Sequence, residues 1–214
     1  MMKKLLLLLL LLAPAAAETT RERVVAIATQ EWELFGRQTI DIDGKLSHQG
    51  AQENDEGYWQ RVGDYWHQGV HLDLDGRDRD EAWSAAFMSW VMRSAGLGPR
   101  FYYSEWHAHY IHRSIRARRD GDQTFAFWGY RLSERAPQVG DLVGYARQDD
   151  IDYDHQRQVY KSHTDVVVAV RPGQIDVIGG NVSDSVTKKT LRTDAEGKLI
   201  DTNHRWFVVM AARY

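Results

Sequence analysis

The spacing of apolar residues changes at Gly121 and does not change back. Up to that glycine, apolar positions recur at helical intervals. Beyond it lie six short stretches rich in β-branched and aromatic residues: 124–130, 141–146, 164–170, 174–178, 186–191 and 205–211. Gly, Pro, Asp and Asn separate them, as in Arg171-Pro172-Gly173, and these are turn signals. Helices first and a run of strands afterwards specify an α+β domain, with N-terminal helices packed on an antiparallel sheet. At 214 residues and 43% hydrophobic composition, one core suffices.

Three helices are expected. Residues 23–35 carry Val24, Val25, Ile27, Ala28, Trp32 and Phe35 at helical spacing and stop at Gly36. Residues 81–95, closed by Gly96, hold an apolar stripe of Ala82, Ala86, Met88, Val91, Met92 and Ala95. Residues 104–119 form the third, with Ser104 as N-cap and Ile111 and Ile115 on one face. Between Arg37 and Asp80 the chain is polar and Gly-punctuated, with Trp59, Tyr65 and Trp66 as anchors. Such a stretch is too long for a structureless loop and must contain short elements. Residues 148–162 read as a polar, mobile insertion between two strands.

The first 17 residues have the form of a signal peptide. Lys3 and Lys4 precede eight consecutive leucines, and Ala15-Ala16-Ala17 supplies small residues for cleavage. The leucine run is too short to remain as a membrane span. The expectation is an exported protein, periplasmic or secreted, with one domain over residues 18–214 and no stable membrane span after cleavage. A net charge of -3 gives no electrostatic footprint for nucleic acid.

The absence of cysteine excludes disulfides, Cys-ligated zinc, iron–sulfur clusters and a thiolate nucleophile. The remaining candidates for covalent chemistry lie in three segments. Ser84 falls in the first turn of the second helix, where unpaired N–H groups and the helix dipole favour a developing anion. His163 stands at the start of a strand, and Asn181 follows Gly179-Gly180 at the end of another. A nucleophile, a base and an orienting group in this order follow the logic of a triad. Taken singly, each residue has a plainer role: Ser84 as a helix cap, His163 as a satisfied polar group, Asn181 as a turn residue. Asp165 projects to the same side of its strand as His163 and competes with Asn181 for the orienting role.

The segment Trp83-Ser84-Ala85-Ala86-Phe87 with Ser89-Trp90-Val91 resembles the nucleophile helix of NlpC-type and CHAP-type papain-like cell-wall hydrolases. Pro137-Gln138-Val139-Gly140-Asp141-Leu142-Val143 resembles their turn into the first core strand, and His163 and Gly180-Asn181 resemble their catalytic-His strand and late polar position. Over nearly all of residues 18–214 the chain is similar to the exported bacterial family DUF2272, through Glu31-Trp32, Phe35-Gly36, Tyr103-Ser104, His107 and Tyr110-Ile111. The resemblance implies a papain-like core and action on peptidoglycan or a related envelope acyl substrate, as amidase, peptidase, esterase or acyltransferase. It also implies that His107 faces the groove beside Ser84, with Trp83 and Tyr103 as further substrate contacts. Ser84 stands where those hydrolases carry Cys, and a hydroxyl must lose its proton during attack through an aligned base. Two functions therefore stay open: a Ser-His acyl enzyme, and a domain that binds the envelope without cleaving it.

No cofactor and no metal are expected. His107 and His109, two apart on a helix, face away from each other. The acidic run Asp73, Asp75, Asp78 and Asp80 lacks the EF-hand spacing and reads as a solvated lead into the helix. Trp59, Tyr65, Trp66, Tyr102, Tyr103 and Trp106 include candidates for a groove lining, although aromatic residues usually build cores.

Overall fold

The computed structural model describes residues 18–214, and the expected leader lies outside them. The chain runs α1 (Thr20–Leu34), β1 (Thr39–Ile40), β2 (Leu46–His48), α2 (Tyr58–Val70), α3 (Ser84–Ser94), α4 (His107–Asp120), and then β3 (Phe127–Tyr130), β4 (Leu142–Ala146), β5 (Ser162–Arg171), β6 (Gln174–Gly179), β7 (Thr187–Arg192) and β8 (Arg205–Ala212). One eight-stranded sheet has the order β2-β1-β7-β6-β5-β4-β8-β3. The architecture is α+β. The sheet departs from a purely antiparallel one at β1, which pairs parallel to β7.

Helix α1 starts with a capping box, in which Thr19 and Glu22 exchange hydrogen bonds. Its Glu31 is buried and accepts from Arg61 Nε at 2.8 Å and from Tyr65 OH at 2.5 Å, which ties α1 to α2. Helix α3 is apolar almost all round, as a helix enclosed by neighbours must be. It packs on α2 and α1 on one side and on β5 and β6 on the other. Helix α4 begins at His107, later than the expected start. Trp106 takes the N-cap position, and Ser104 Oγ accepts the Trp106 N–H one turn earlier at 2.9 Å.

The sheet buries both faces, so period-2 alternation decides what each strand residue meets. Val166 and Ile178 join the large core under the helices. Val143, Tyr145, Val167, Val177 and Trp206 form a smaller cluster on the opposite face. The insertion over 148–161 is pinned rather than free. Ile151 and Tyr160 are buried, Tyr153 OH donates to Gly129 O at 2.8 Å, and Lys161 N–H donates to Gln148 Oε1 at 2.6 Å.

Candidate active site

Ser84 is the first residue of α3, and Trp83 occupies the N-cap position without a side-chain cap hydrogen bond. The hydroxyl of Ser84 is therefore not spent on its own helix. Its Oγ lies 2.7 Å from Nε2 of His107, the first residue of α4. The start of one helix thus faces the start of the next. On the far side of the ring, His107 Nδ1 meets Thr164 Oγ1 at 2.9 Å and the Tyr110 hydroxyl. Tyr110 and Thr164 share a third hydrogen bond of 3.2 Å. All four side chains in this network are buried.

His163 does not bond to Ser84. Alternation along β5 sends Thr164 toward the helices and turns His163 and Asp165 to the other side. There His163 Nε2 donates to Asp165 Oδ1 at 3.1 Å, and Lys189 on β7 reaches Asp165 Oδ2 at 2.8 Å. The Lys189 ammonium and the His163 ring outweigh the upward push of burial and hold the Asp165 carboxyl below its ordinary range. A carboxylate only accepts, so the proton of neutral His163 sits on Nε2 and leaves a lone pair on Nδ1. That nitrogen is buried and without a partner among the described residues. The His163 and His107 rings are 5.0 Å apart between centroids and tilted by 47°, so the two networks adjoin.

Gly179 and Gly180 make this junction. A Cβ on Gly179 would lie 2.0 Å from Asp165 Oδ1 and 2.8 Å from His163 Nε2, while one on Gly180 would lie 2.6 Å from Phe87. The glycines let the end of β6 pass close against the His–Asp pair of β5 on one side and the start of α3 on the other. Asn181 adopts a left-handed conformation at φ 53° and makes no side-chain hydrogen bond to either histidine. Instead it lines a second groove of about 380 Å³ with Tyr145, Lys189 and His204. Of the two residues considered for orienting His163, Asp165 is the one bonded to it.

A groove of about 390 Å³ opens over Ser84 and His107, walled by Trp106, Arg147, Tyr160 and Ser162. The hydroxyls of Tyr160 and Ser162 are buried with no hydrogen-bond partner among the described residues. Trp83 does not reach this groove. It is 1% exposed, packs against Phe35, Tyr65 and Phe87, and donates to Glu53 Oε2 at 2.5 Å. Tyr103 lies outside it as well, beneath the Arg93 guanidinium at 3.9 Å. Thr164 and Lys189 escape sequence reasoning, and Tyr110 enters it only through the family resemblance, without a place at the site. The spacing of Tyr110 three residues after His107 and the alternation along β5 are the signals that could have placed Tyr110 and Thr164 there.

Among the described residues no group of three or more His, Cys, Asp or Glu side chains is placed to hold a metal ion. The acidic run before α3 is bonded internally, with Asp75 paired to Arg77 at 2.6 Å and Asp73 to His67 at 3.1 Å.

Burial lowers the His163 imidazole to about 4, against the opposing pull of Asp165. Burial, and next the neighbouring His163, lower His107 well below its ordinary value. An imidazole in an unfolded chain titrates near ~6.5. Between the two values the unfolded chain binds protons that the folded chain refuses, so stability falls as pH drops from about 6.5 toward about 4. His163 alone is expected to cost on the order of 2–3 kcal/mol across that window. Thermal melts taken at intervals through it should show Tm falling, with a shallower fall for His163→Gln. A flat wild-type profile would count against neutral buried histidines.

The chain matches the family described as "Uncharacterized protein conserved in bacteria (DUF2272)" over residues 67–212. No curated protein and no solved structure matches it. The matched span runs from α2 to the end of β8 and so includes Ser84, His107, His163, Asp165 and Lys189. On that match, which covers more than half of the sequence, the protein belongs to the bacterial family DUF2272.

Proposed function

We propose that this protein is an exported acyl hydrolase or acyltransferase that uses Ser84 on peptidoglycan or a related envelope substrate. The observation that carries the reading is the 2.7 Å contact of Ser84 Oγ with His107 Nε2, at an uncapped helix start on the wall of a groove. Ser84 Oγ attacks the acyl carbon while its proton passes to His107 Nε2. The oxyanion is met by the N–H groups of the first turn of α3. Collapse expels the leaving group, which takes the proton back from His107 and leaves an ester on Ser84. Water or a second acceptor then attacks that ester through the same base and frees the serine.

His107 replaces His163 as the base in this reading because it is the ring that Ser84 touches. Thr164 and Tyr110 orient it, while Asp165 favours its protonated form across the His163 ring. A nucleophile helix packed on a strand-borne His–Asp pair supports a papain-like core of the NlpC or CHAP type. The basic start, the leucine run and the alanines of residues 1–17 support export to the periplasm or beyond. A second reading, binding without cleavage, draws on one observation: hydroxyls, not a carboxylate, face His107 Nδ1.

The test is incubation of the chain without its leader with purified peptidoglycan and a panel of acyl esters, followed by mass analysis. New fragments or acyl transfer products support the enzyme, whereas pull-down with peptidoglycan and no product supports the binder. The partnerless hydroxyls of Tyr160 and Ser162 offer a finer test, since both border the groove and suit an acyl oxygen. Removing an unsatisfied buried hydroxyl costs the free protein little or nothing. Tyr160→Phe and Ser162→Ala are therefore expected to leave Tm unchanged or slightly raised. Each should lower kcat by about 10²-fold with little change in KM. A lowered Tm with unaltered kcat would assign these hydroxyls to the fold instead.

A further inference from the structure

The face of α4 turned away from Ser84 carries His109, His112, Arg113 and Arg116. Their spacing of three, four and seven residues places all four on one helical stripe. With Tyr102 and Gln158 they line a pocket of about 330 Å³ to which no carboxylate among the described residues contributes. Both imidazoles are held through Nδ1. His109 bonds Ser104 Oγ and His112 bonds Gln156 Oε1, each at 2.7 Å. Neither Nε2 has a hydrogen-bond partner among the described residues.

Imidazoles held through one nitrogen with the other unused are a common preparation for a metal ion. Charge argues against that ligand here. Two guanidiniums share the lining, and no third His, Cys, Asp or Glu joins the pair among the described residues. The same set suits an anion. Arg113 is paired with Asp122, whereas Arg116 has only a loose pairing with Asp120 at 3.8 Å and keeps donors to offer. Gln156 Oε1 accepts from His112 Nδ1, so the Nε2 of the neutral ring accepts from an acidic hydroxyl and donates to an anion only when the ring gains a second proton. A phosphoryl group can supply that hydroxyl and accept from guanidinium forks on its remaining oxygens.

We propose that this pocket binds a phosphoryl group, as phosphate or as a phosphate ester, at a site separate from the Ser84 groove. Its position on the outer face of α4 leaves acyl chemistry at Ser84 untouched, so the proposal does not depend on that activity.

The test uses the chain over residues 18–214, inorganic phosphate as the probe and titration calorimetry at low ionic strength. One saturable site is expected, weakened at least tenfold in Arg116→Gln and further in the Arg113→Gln/Arg116→Gln pair. Arg171→Gln, on β5, should bind as the wild type does. Because Arg113 also holds Asp122, the exposed Arg116→Gln variant keeps the test valid if the pair folds poorly. Flotation with phosphatidic acid vesicles against phosphatidylcholine vesicles separates the two sources of the group. Phosphatidic-acid-selective capture lost in Arg116→Gln assigns a lipid headgroup, and phosphate binding without such capture assigns a soluble ester. Absence of saturable phosphate binding, or equal affinity in wild type and Arg116→Gln, overturns the proposal.

Discussion

On the proposed mechanism, Ser84→Ala is expected to reduce acyl turnover by about 10³-fold or more, because it removes the oxygen that would form the covalent intermediate. Among the described residues Ser84 Oγ is the one group bonded to His107 Nε2, so no neighbouring hydroxyl there can take over the attack through that nitrogen. Ser84 is 4% exposed, and the substitution strands a buried ring nitrogen. The stability cost is about 1–3 kcal/mol, which a folded protein can absorb but which must be measured beside the rate. Ser84→Cys separates the two functional readings. A thiol ionises far more readily than a hydroxyl, and the aligned imidazole can accept its proton. Wild-type product that disappears in the alanine variant identifies a serine enzyme. Turnover by the cysteine variant alone would mean that the scaffold still aligns a base while the natural chain binds without cleaving. Silence from all three, each shown to be folded, removes the Ser84 mechanism for the substrates tried. His107→Asn against His163→Asn then decides the base, with the larger loss of kcat expected at His107.

The strands after Gly121 were legible because each is a short apolar run between turn residues, and all six expected segments coincide with β3 to β8 within a few residues. Helix α2 was hidden although Tyr58, Val62, Tyr65, Trp66 and Val70 keep a helical period. Gly63 and Gly69 interrupt it, and glycine is a poor helix former. The parallel pairing of β1 with β7 joins segments about 150 residues apart in sequence, and no local pattern reports such a contact. At the site, the sequence marked Ser84, His163, Asp165 and His107 but misjudged which histidine meets the serine. That choice depends on where α4 begins relative to α3, a tertiary quantity. Trp83 shows the opposite limit. The family resemblance implied substrate contact, yet at the N-cap of α3 its indole packs in the aromatic core.

Lys189→Met is expected to destabilise the protein by about 3–5 kcal/mol, a large effect for one substitution, because it leaves a buried carboxylate short of its cation. Asp165 is fully buried, and its two oxygens are met by His163 Nε2 and Lys189 Nζ. Lys189 is itself 2% exposed, beneath the rings of Tyr145 and Trp206 at 5.4 Å from each. Without the ammonium, the remaining charge can be relieved only by a proton. Either Asp165 takes one, or His163 becomes a cation and supplies the missing charge. Urea unfolding reads the first consequence as a lower midpoint. An NMR titration of the imidazoles reads the second as an upward displacement of His163. Asp165→Asn combined with Lys189→Met removes both charges and should recover a substantial part of the loss. A cost below about 1 kcal/mol for Lys189→Met would mean that water already screens the pair. In the wild type, Lys189 makes the Asp165 charge tolerable without a proton on His163. The His163 ring beside His107 therefore stays neutral, and on the proposed mechanism a neutral neighbour leaves His107 freer to accept the proton of Ser84 than an imidazolium would.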